Sequence, residues 1–374
     1  MKGCRLALFL GLILLISLFV VVTDQVEAEG TLKYMNKDFF ASGMNLAWLS
    51  FAQDLDRFYE PRFIRALDEV AAAGGNTVRW WLHTNCKMSP MFKDGKVSGL
   101  HRSNIPNLVR ALDLAEERGI VLLLSLFSFD MLQDQPGVNL VNNKNLLEQI
   151  DHTQAYIDNA LIPMVQAVKD HPALFAWEIF NEPEGMARPF GWTPVKTEMK
   201  YIQQFVNLVT GAIKREAPHN LVTNGSWNFR VLTDVGGMMN YYRDDRLIEA
   251  GGDTLGVLDF YQVHFYPVHF DESTSPFHKP ASYWELDKPI LIGEFPAYGV
   301  LAKSGQRFRP RTELNAEEAW VYALENGYAG ALGWTWTNHD GNGGVKDAEP
   351  GMKKVLELAP ERVVIDQDVM NESE

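Results

Sequence analysis

The sequence predicts an α/β protein, a (β/α)8 TIM barrel built as a single domain, on three observations. Apolar, β-rich runs alternate with amphipathic helical runs along the chain, as parallel strands with helical crossovers require. Links from helix to strand are short and punctuated by glycine or proline, while several links from strand to helix are long. The residues that end the strands are polar or aromatic, at the rim where such barrels build their sites.

The strands are expected at residues 39–48, 76–83, 120–127, 174–183, 221–227, 259–266, 289–296 and 330–337. Their near-continuous apolar character fits burial on both faces, and eight such units in series favour a closed barrel over an open sheet. Helical periodicity runs through residues 61–73, 104–118, 145–169, 197–216 and 313–326. The short links carry Gly74-Gly75, Gly119, His171-Pro172, Pro218 and Gly327. The long links cover 128–144, 228–258, 267–286, 297–312 and 338–350, and would wall a groove at one end of the barrel.

Residues 1–28 read as a signal peptide. Lys2 and Arg5 precede an apolar run over 6–22, Thr23 and Asp24 follow, and Val26-Glu27-Ala28 fits a cleavage site. The mature chain, 29–374, is then expected to be secreted and extracellular, with no membrane association after cleavage. An uncleaved signal anchor is the alternative, since the run is nearly long enough to span a bilayer. No linker, low-complexity tract or charge block follows, so residues 29–374 form one domain without an appended module. Cys4 leaves with the signal, and Cys86 reads as a buried small hydrophobe rather than a nucleophile. A net charge of −14 disfavours nucleic acid and anionic polysaccharide and suits a neutral substrate. The expected mature form is a monomer. Metal-ligand spacing, a phosphate loop and a dinucleotide fingerprint are missing from the sequence, so no cofactor or metal is expected.

Chemistry is sought at the strand ends. The second strand contains Arg79 and ends Trp80-Trp81-Leu82-His83; the fourth ends Asn181-Glu182-Pro183; the sixth carries His264-Phe265-Tyr266. The seventh carries Gly293-Glu294-Phe295 and the eighth Gly333-Trp334-Thr335-Trp336. Charges in a barrel mouth are costly unless paired or used. Two carboxylates on separate strands, with an arginine, a histidine and a tyrosine around them, suit acid/base and nucleophilic work on one bond.

With Trp177-Glu178-Ile179-Phe180-Asn181-Glu182-Pro183, His264-Phe265-Tyr266, Ile292-Gly293-Glu294-Phe295 and Gly333-Trp334 in order on the expected strands, the chain resembles glycoside hydrolase family five. The resemblance covers essentially the whole mature chain and is strongest to the β-mannanases of invertebrates. It implies a retaining hydrolase of a neutral β-linked polysaccharide, cutting internal β-1,4-mannosidic bonds of mannan, glucomannan or galactomannan. An endo-β-1,4-glucanase of the same fold, or a sugar-binding barrel without turnover, are the alternatives. Retention of both glutamates with Arg79, Asn181, His264 and Tyr266 argues against the latter.

The resemblance also implies roles. Glu182 would be the acid/base and Glu294 the nucleophile; Asn181 would bond the sugar 2-hydroxyl; Arg79 and Tyr266 would flank Glu294; His264 would lie near the pair; Trp334 would floor the cleaved subsite. Two other readings stay open: Arg79 as an ion-pair partner of Glu178, and His264 as an ordinary core histidine. His83 is placed either in the groove or in the scaffold. Trp192, Trp227 and Trp336 are further candidates for sugar platforms, while Trp48, Trp80 and Trp81 fit core positions as well. Many family members carry a histidine after the third strand, where this chain has Phe127-Ser128-Phe129-Asp130. Asn224-Gly225-Ser226 and Asn371-Glu372-Ser373 are glycosylation sequons, the first near a strand end and the second in a polar tail.

Overall fold

The computed structural model describes residues 31–267, 272–301 and 312–365; the expected leader and the Asn371 sequon lie outside them. Strands Ala41–Ala47, Thr77–Thr84, Val121–Ser128, Leu174–Asn181, Leu221–Ser226, Tyr261–His264, Ile290–Pro296 and Gly330–Trp334 close a barrel in chain order. All neighbours are parallel, and pairing of Gly330 to Ala41 through Trp334 to Asn45 joins the last strand to the first. The expected barrel is therefore present, with each strand inside its expected range or within a residue of it. Every residue of the second, third and fourth strands is buried, because one face fills the barrel and the other meets the helices.

The barrel interior changes character along its axis. Toward the strand N-termini, Val121, Leu123, Phe175, Leu291 and Leu332 pack with Leu32 and Phe39. Those last two belong to the antiparallel pair Leu32–Tyr34 and Lys37–Phe39, which closes the floor. Toward the strand C-termini the interior carries buried Asn45, Arg79, Ser125, Glu178, Gln262 and Glu294. Gly225 makes room for this polar layer, since a Cβ there would lie 2.5 Å from Glu178 Oε1 and 2.7 Å from Gln262 Nε2.

The outer helices follow their apolar stripes. Glu60–Ala72 buries Phe63, Ala66, Leu67 and Val70 and starts with proline in its first turn, where the missing N–H costs nothing. Met199–Glu216 buries Ile202, Phe205, Val206, Val209 and Ile213 and ends on Lys214 and Arg215, which suit its C-terminal dipole. Ala316–Glu325 opens with a reciprocal cap between Asn315 and Glu318.

Three details depart from the sequence reading. The helix expected over 145–169 is divided into Leu140–Glu148, Ile150–Tyr156, a π turn Ile157–Leu161 and Ile162–Val168. Extended Gln149 makes the first break, and the π turn precedes Pro163, which has no N–H to continue the ladder. A short helix, Asp244–Gly251, lies inside the link expected over 228–258. The last long link ends early, because Val345–Leu358 is helical with Pro350 inside it. Burial of Ala348, Met352 and Val355 along one face outweighs the single hydrogen bond that proline removes.

Candidate active site

Glu182 follows the fourth strand with φ 44° and ψ 53°, a left-handed conformation that costs a non-glycine residue roughly 1 kcal/mol. The backbone holds it there: Glu182 N–H donates to Gly225 O at 2.7 Å, and Gly185 N–H donates to Glu182 O at 3.0 Å. The effect is to turn the carboxylate into the barrel mouth, where its side chain is 16% exposed. Glu294 sits inside the seventh strand and points to the same place, with the strand fully buried around it. The facing oxygens of Glu182 and Glu294 and a ring nitrogen of His264 all lie within 4.8 Å of one another.

Arg79 organises the floor of this site. Its Nε and Nη2 donate to Glu178 at 2.6 Å each, and its Nη1 donates to Glu294 Oε1 at 2.5 Å. Nη1 also reaches Asn45 Oδ1 at 2.8 Å, and Nη2 reaches Asn181 Oδ1 at 2.9 Å. The two readings left open for Arg79 are thus both realised, since one fork grips Glu178 and the other end of the guanidinium meets Glu294. Ser125 Oγ adds a 3.2 Å bond to Glu178. Tyr266 donates its hydroxyl to Glu294 Oε2 at 2.8 Å.

His264 stands between the carboxylates, with Nδ1 2.9 Å from Glu182 Oε1 and 3.5 Å from Glu294 Oε1. Its Nε2 lies 3.2 Å from Gln262 Nε2, an amide donor, so Nε2 accepts and Nδ1 carries the proton. Burial depresses the imidazole to about 4, which keeps it neutral over the ordinary pH range. His264 is therefore a site residue rather than an isolated core histidine.

Burial raises both glutamates, and their hydrogen-bond partners differ. Burial pushes the Glu182 carboxyl up to about 7; Arg79 pulls it down, and Asp130 and Glu178 push it further up. Burial also raises Glu294, against the pull of Arg79 and the Tyr266 hydroxyl. Glu294 thus has a full set of donors for an ionised carboxylate. Glu182 has the His264 imidazole as its side-chain donor.

Around the pair runs a groove of about 750 Å³ lined chiefly by aromatic rings. Next to Glu294, Trp334 meets Trp81 at a ring separation of 5.9 Å and Trp48 at 5.7 Å, and donates Nε1–H to Asp340 Oδ2 at 2.7 Å. Next to Glu182, Trp192 meets Phe129 at 5.1 Å and Trp227 at 6.1 Å. Gly185 permits this corner, because a Cβ there would fall 2.6 Å from the Trp192 ring.

Of the residues singled out from sequence, Glu182, Glu294, Arg79, Asn181, His264, Tyr266, Trp334, Trp192 and Trp227 lie at this site. Two do not. His83 is buried against Phe127 and Tyr156, with Nδ1 2.9 Å from Ser89 Oγ. The pairing register slips between Trp81 and Thr84, and that slip turns His83 away from the mouth. Trp336 leaves the groove as well: its Nε1–H donates to Glu69 at 2.8 Å and Arg62 covers its ring, so it ties the barrel to an outer helix. Sequence reasoning undervalued Trp48, Trp81 and Asp130, which line the groove. The available signal was their place at the ends of the first three strands. Asn224 is fully buried in the fifth strand, so its sequon is inaccessible in the folded chain, and Cys86 is buried.

The three ligand-type atoms of Glu182, His264 and Glu294 span the dimensions of a cation site. Arg79 already supplies a positive charge to Glu294 from below, so a cation here would compete with the guanidinium for the same carboxylate.

The family model described as Cellulase (glycosyl hydrolase family 5) matches residues 41–340. Mannan endo-1,4-beta-mannosidase of Mytilus edulis is 33% identical over 84% of this chain and 88% of its own length. Its counterpart from Cryptopygus antarcticus is 34% identical over 84% of this chain and 85% of its own. The solved structure of beta-1,4-mannanase from the sea hare Aplysia kurodai superposes with a TM-score of 0.79 at 30% identity, covering 90% of this chain and 98% of that one.

Proposed function

The chain belongs to glycosyl hydrolase family 5, and from that premise we propose that it is a secreted, monomeric, retaining endo-β-1,4-mannanase with Glu182 as acid/base and Glu294 as nucleophile. The observation that carries the mechanism is the carboxylate spacing. Facing oxygens within 4.8 Å favour the short carboxyl separation of retaining enzymes, roughly 5–5.5 Å, over the about 6.5–9.5 Å of inverting ones.

In the first step Glu294 attacks the anomeric carbon while Glu182 gives its proton to the glycosidic oxygen, and the leaving sugar departs with that proton. In the second, Glu182, now ionised, takes a proton from water; the water oxygen attacks the anomeric carbon and Glu294 is released. Arg79 and Tyr266 keep Glu294 ionised and aimed, and His264 orients Glu182 without supplying charge. Asn181 is the donor group placed for the sugar 2-hydroxyl, and Trp334 is the floor of the cleaved subsite.

Mannan as substrate is supported by the activities of the relatives, and endo action by an open groove bounded by long strand-to-helix loops. Secretion rests on the leader in residues 1–28. Initial rates of the purified enzyme on mannan, glucomannan, carboxymethylcellulose and xylan test the assignment. Mannan and glucomannan should lead. A faster rate on carboxymethylcellulose would make the protein an endoglucanase, and monosaccharide as the sole early product would refute endo cleavage.

A further inference from the structure

Asp130 lies in the short turn that follows the third strand. Its side chain lines the groove on the Glu182 side and is nine-tenths buried. Asp130 Oδ2 accepts from Ser128 Oγ at 2.6 Å, and Oδ1 accepts from Gln135 Nε2 at 3.3 Å. Ser128 Oγ in turn accepts from Asn181 Nδ2 at 3.3 Å, and Asn181 Oδ1 accepts from Arg79 Nη2 at 2.9 Å. A continuous chain of hydrogen bonds therefore runs from Asp130 through Ser128 and Asn181 to the guanidinium that holds Glu294.

We propose that Asp130 is a positioning residue that anchors Asn181 through Ser128 and, as an anion on the wall of the groove that Glu182 also lines, favours the proton on Glu182 for delivery to the leaving group. The direction of each bond supports this. An acceptor at Asp130 forces the Ser128 hydroxyl to donate to it, which leaves the Ser128 oxygen free to accept from the Asn181 amide. Asn181 is thereby locked with its carbonyl on Arg79, as the site requires. A neutral side chain at position 130 would lose the like charge, and one without an acceptor oxygen would lose that enforcement as well.

The charged groups that bear on Glu182 come from several strands. Arg79 favours its ionised form, while Asp130 and Glu178 oppose it. Glu184, Glu294 and Tyr266 also couple to it from the following turn and the opposite wall, and His264 lies against it as a neutral ring. Of the four acidic neighbours, Glu178 and Glu294 are bonded directly to Arg79, Glu184 is held by the Tyr242 hydroxyl and the Trp227 backbone N–H, and Asp130 is held by Ser128 and Gln135. Burial raises the Asp130 carboxyl, against the bonds from Ser128 and Gln135; ionised, it places a like charge on the groove wall that Glu182 shares.

The inference rests on Glu182 being the acid/base. Asp130→Asn preserves volume and removes the charge. The alkaline limb of the kcat/KM profile on mannan should move down by about half a pH unit or more, so the loss at pH 7.5 exceeds the loss at pH 5 by about threefold. An aryl mannoside whose leaving group needs no proton should show no such pH-selective loss. Asp130→Glu should restore the limb toward its original position. An equal loss at every pH on both substrates would reduce Asp130 to scaffolding and overturn the proposal. Azide trapping with Glu182→Ala, which does not involve Asp130, tests the acid/base assignment separately. A β-azide product with an unmoved limb in Asp130→Asn would refute this inference alone.

Discussion

Replacing Glu182 by glutamine should make the protein more stable at pH 8 and useless as a hydrolase. Folding lifts this carboxyl from 4.5 to about 7, chiefly through burial. The folded state thus binds the proton more tightly than the unfolded chain. Stability contributed by the protonated form is present below about pH 4.5, is lost as the pH rises through 7, and stays lost above. The full difference corresponds to about 3 kcal/mol at about 1.4 kcal/mol per pH unit; the 16% exposure of the side chain screens part of it, leaving about 2 kcal/mol. Glutamine has the same shape, keeps an oxygen for His264 Nδ1–H and cannot ionise. Glu182→Gln should therefore gain about 2 kcal/mol at pH 8, or about 3 °C in Tm, and less than about 1 kcal/mol at pH 5. Thermal unfolding of both proteins followed by circular dichroism at the two pH values reads the difference directly. A Tm gain that is equal at pH 5 and pH 8, or a loss at pH 8, would refute the reasoning. So would an alkaline limb of the wild-type kcat/KM profile far from 7, because the same proton governs both.

Further outcomes follow from the same geometry. With an activated aryl mannoside and azide, Glu182→Ala should give the β-glycosyl azide and Glu294→Ala the α product, read by NMR; the opposite pattern would exchange the two roles. Arg79→Met leaves Glu178 and Glu294 buried without their cation and should cost about 3–5 kcal/mol in urea unfolding, far more than the loss of a surface ion pair. Trp192→Ala, at a ring 44% exposed, should raise KM for polysaccharide about fivefold, the equivalent of about 1 kcal/mol of stacking, while the unfolding midpoint changes little. N-terminal sequencing of material recovered from the medium should begin at Glu29, and an intact Met1 form in membranes would mean an anchor instead.

The sequence by itself determined the architecture and pointed to two carboxylates at the barrel mouth. Eight apolar runs with helices between most of them leave few alternatives to a closed parallel barrel, and such a barrel places strand ends at one mouth whatever the details of packing. A carboxylate in that mouth has to be used or paired, so Glu182 and Glu294 stood out before any coordinate was known. Local order could be read as well, as in the proline-led start of Glu60–Ala72. Only the tertiary structure decided which way a side chain at a strand end turns. His83 and Trp336 occupy the same kind of position as Trp81 and Trp334, yet a register slip and a bond to Glu69 send the first two outward. Sequence alternation cannot register one extra residue in a strand, and a one-residue slip moves a side chain to the other face. Nor could the sequence show that Arg79 serves Glu178 and Glu294 at once, or that Asp130 reaches Arg79 through Ser128 and Asn181. Those bonds join different strands, and their partners are fixed only when the barrel closes.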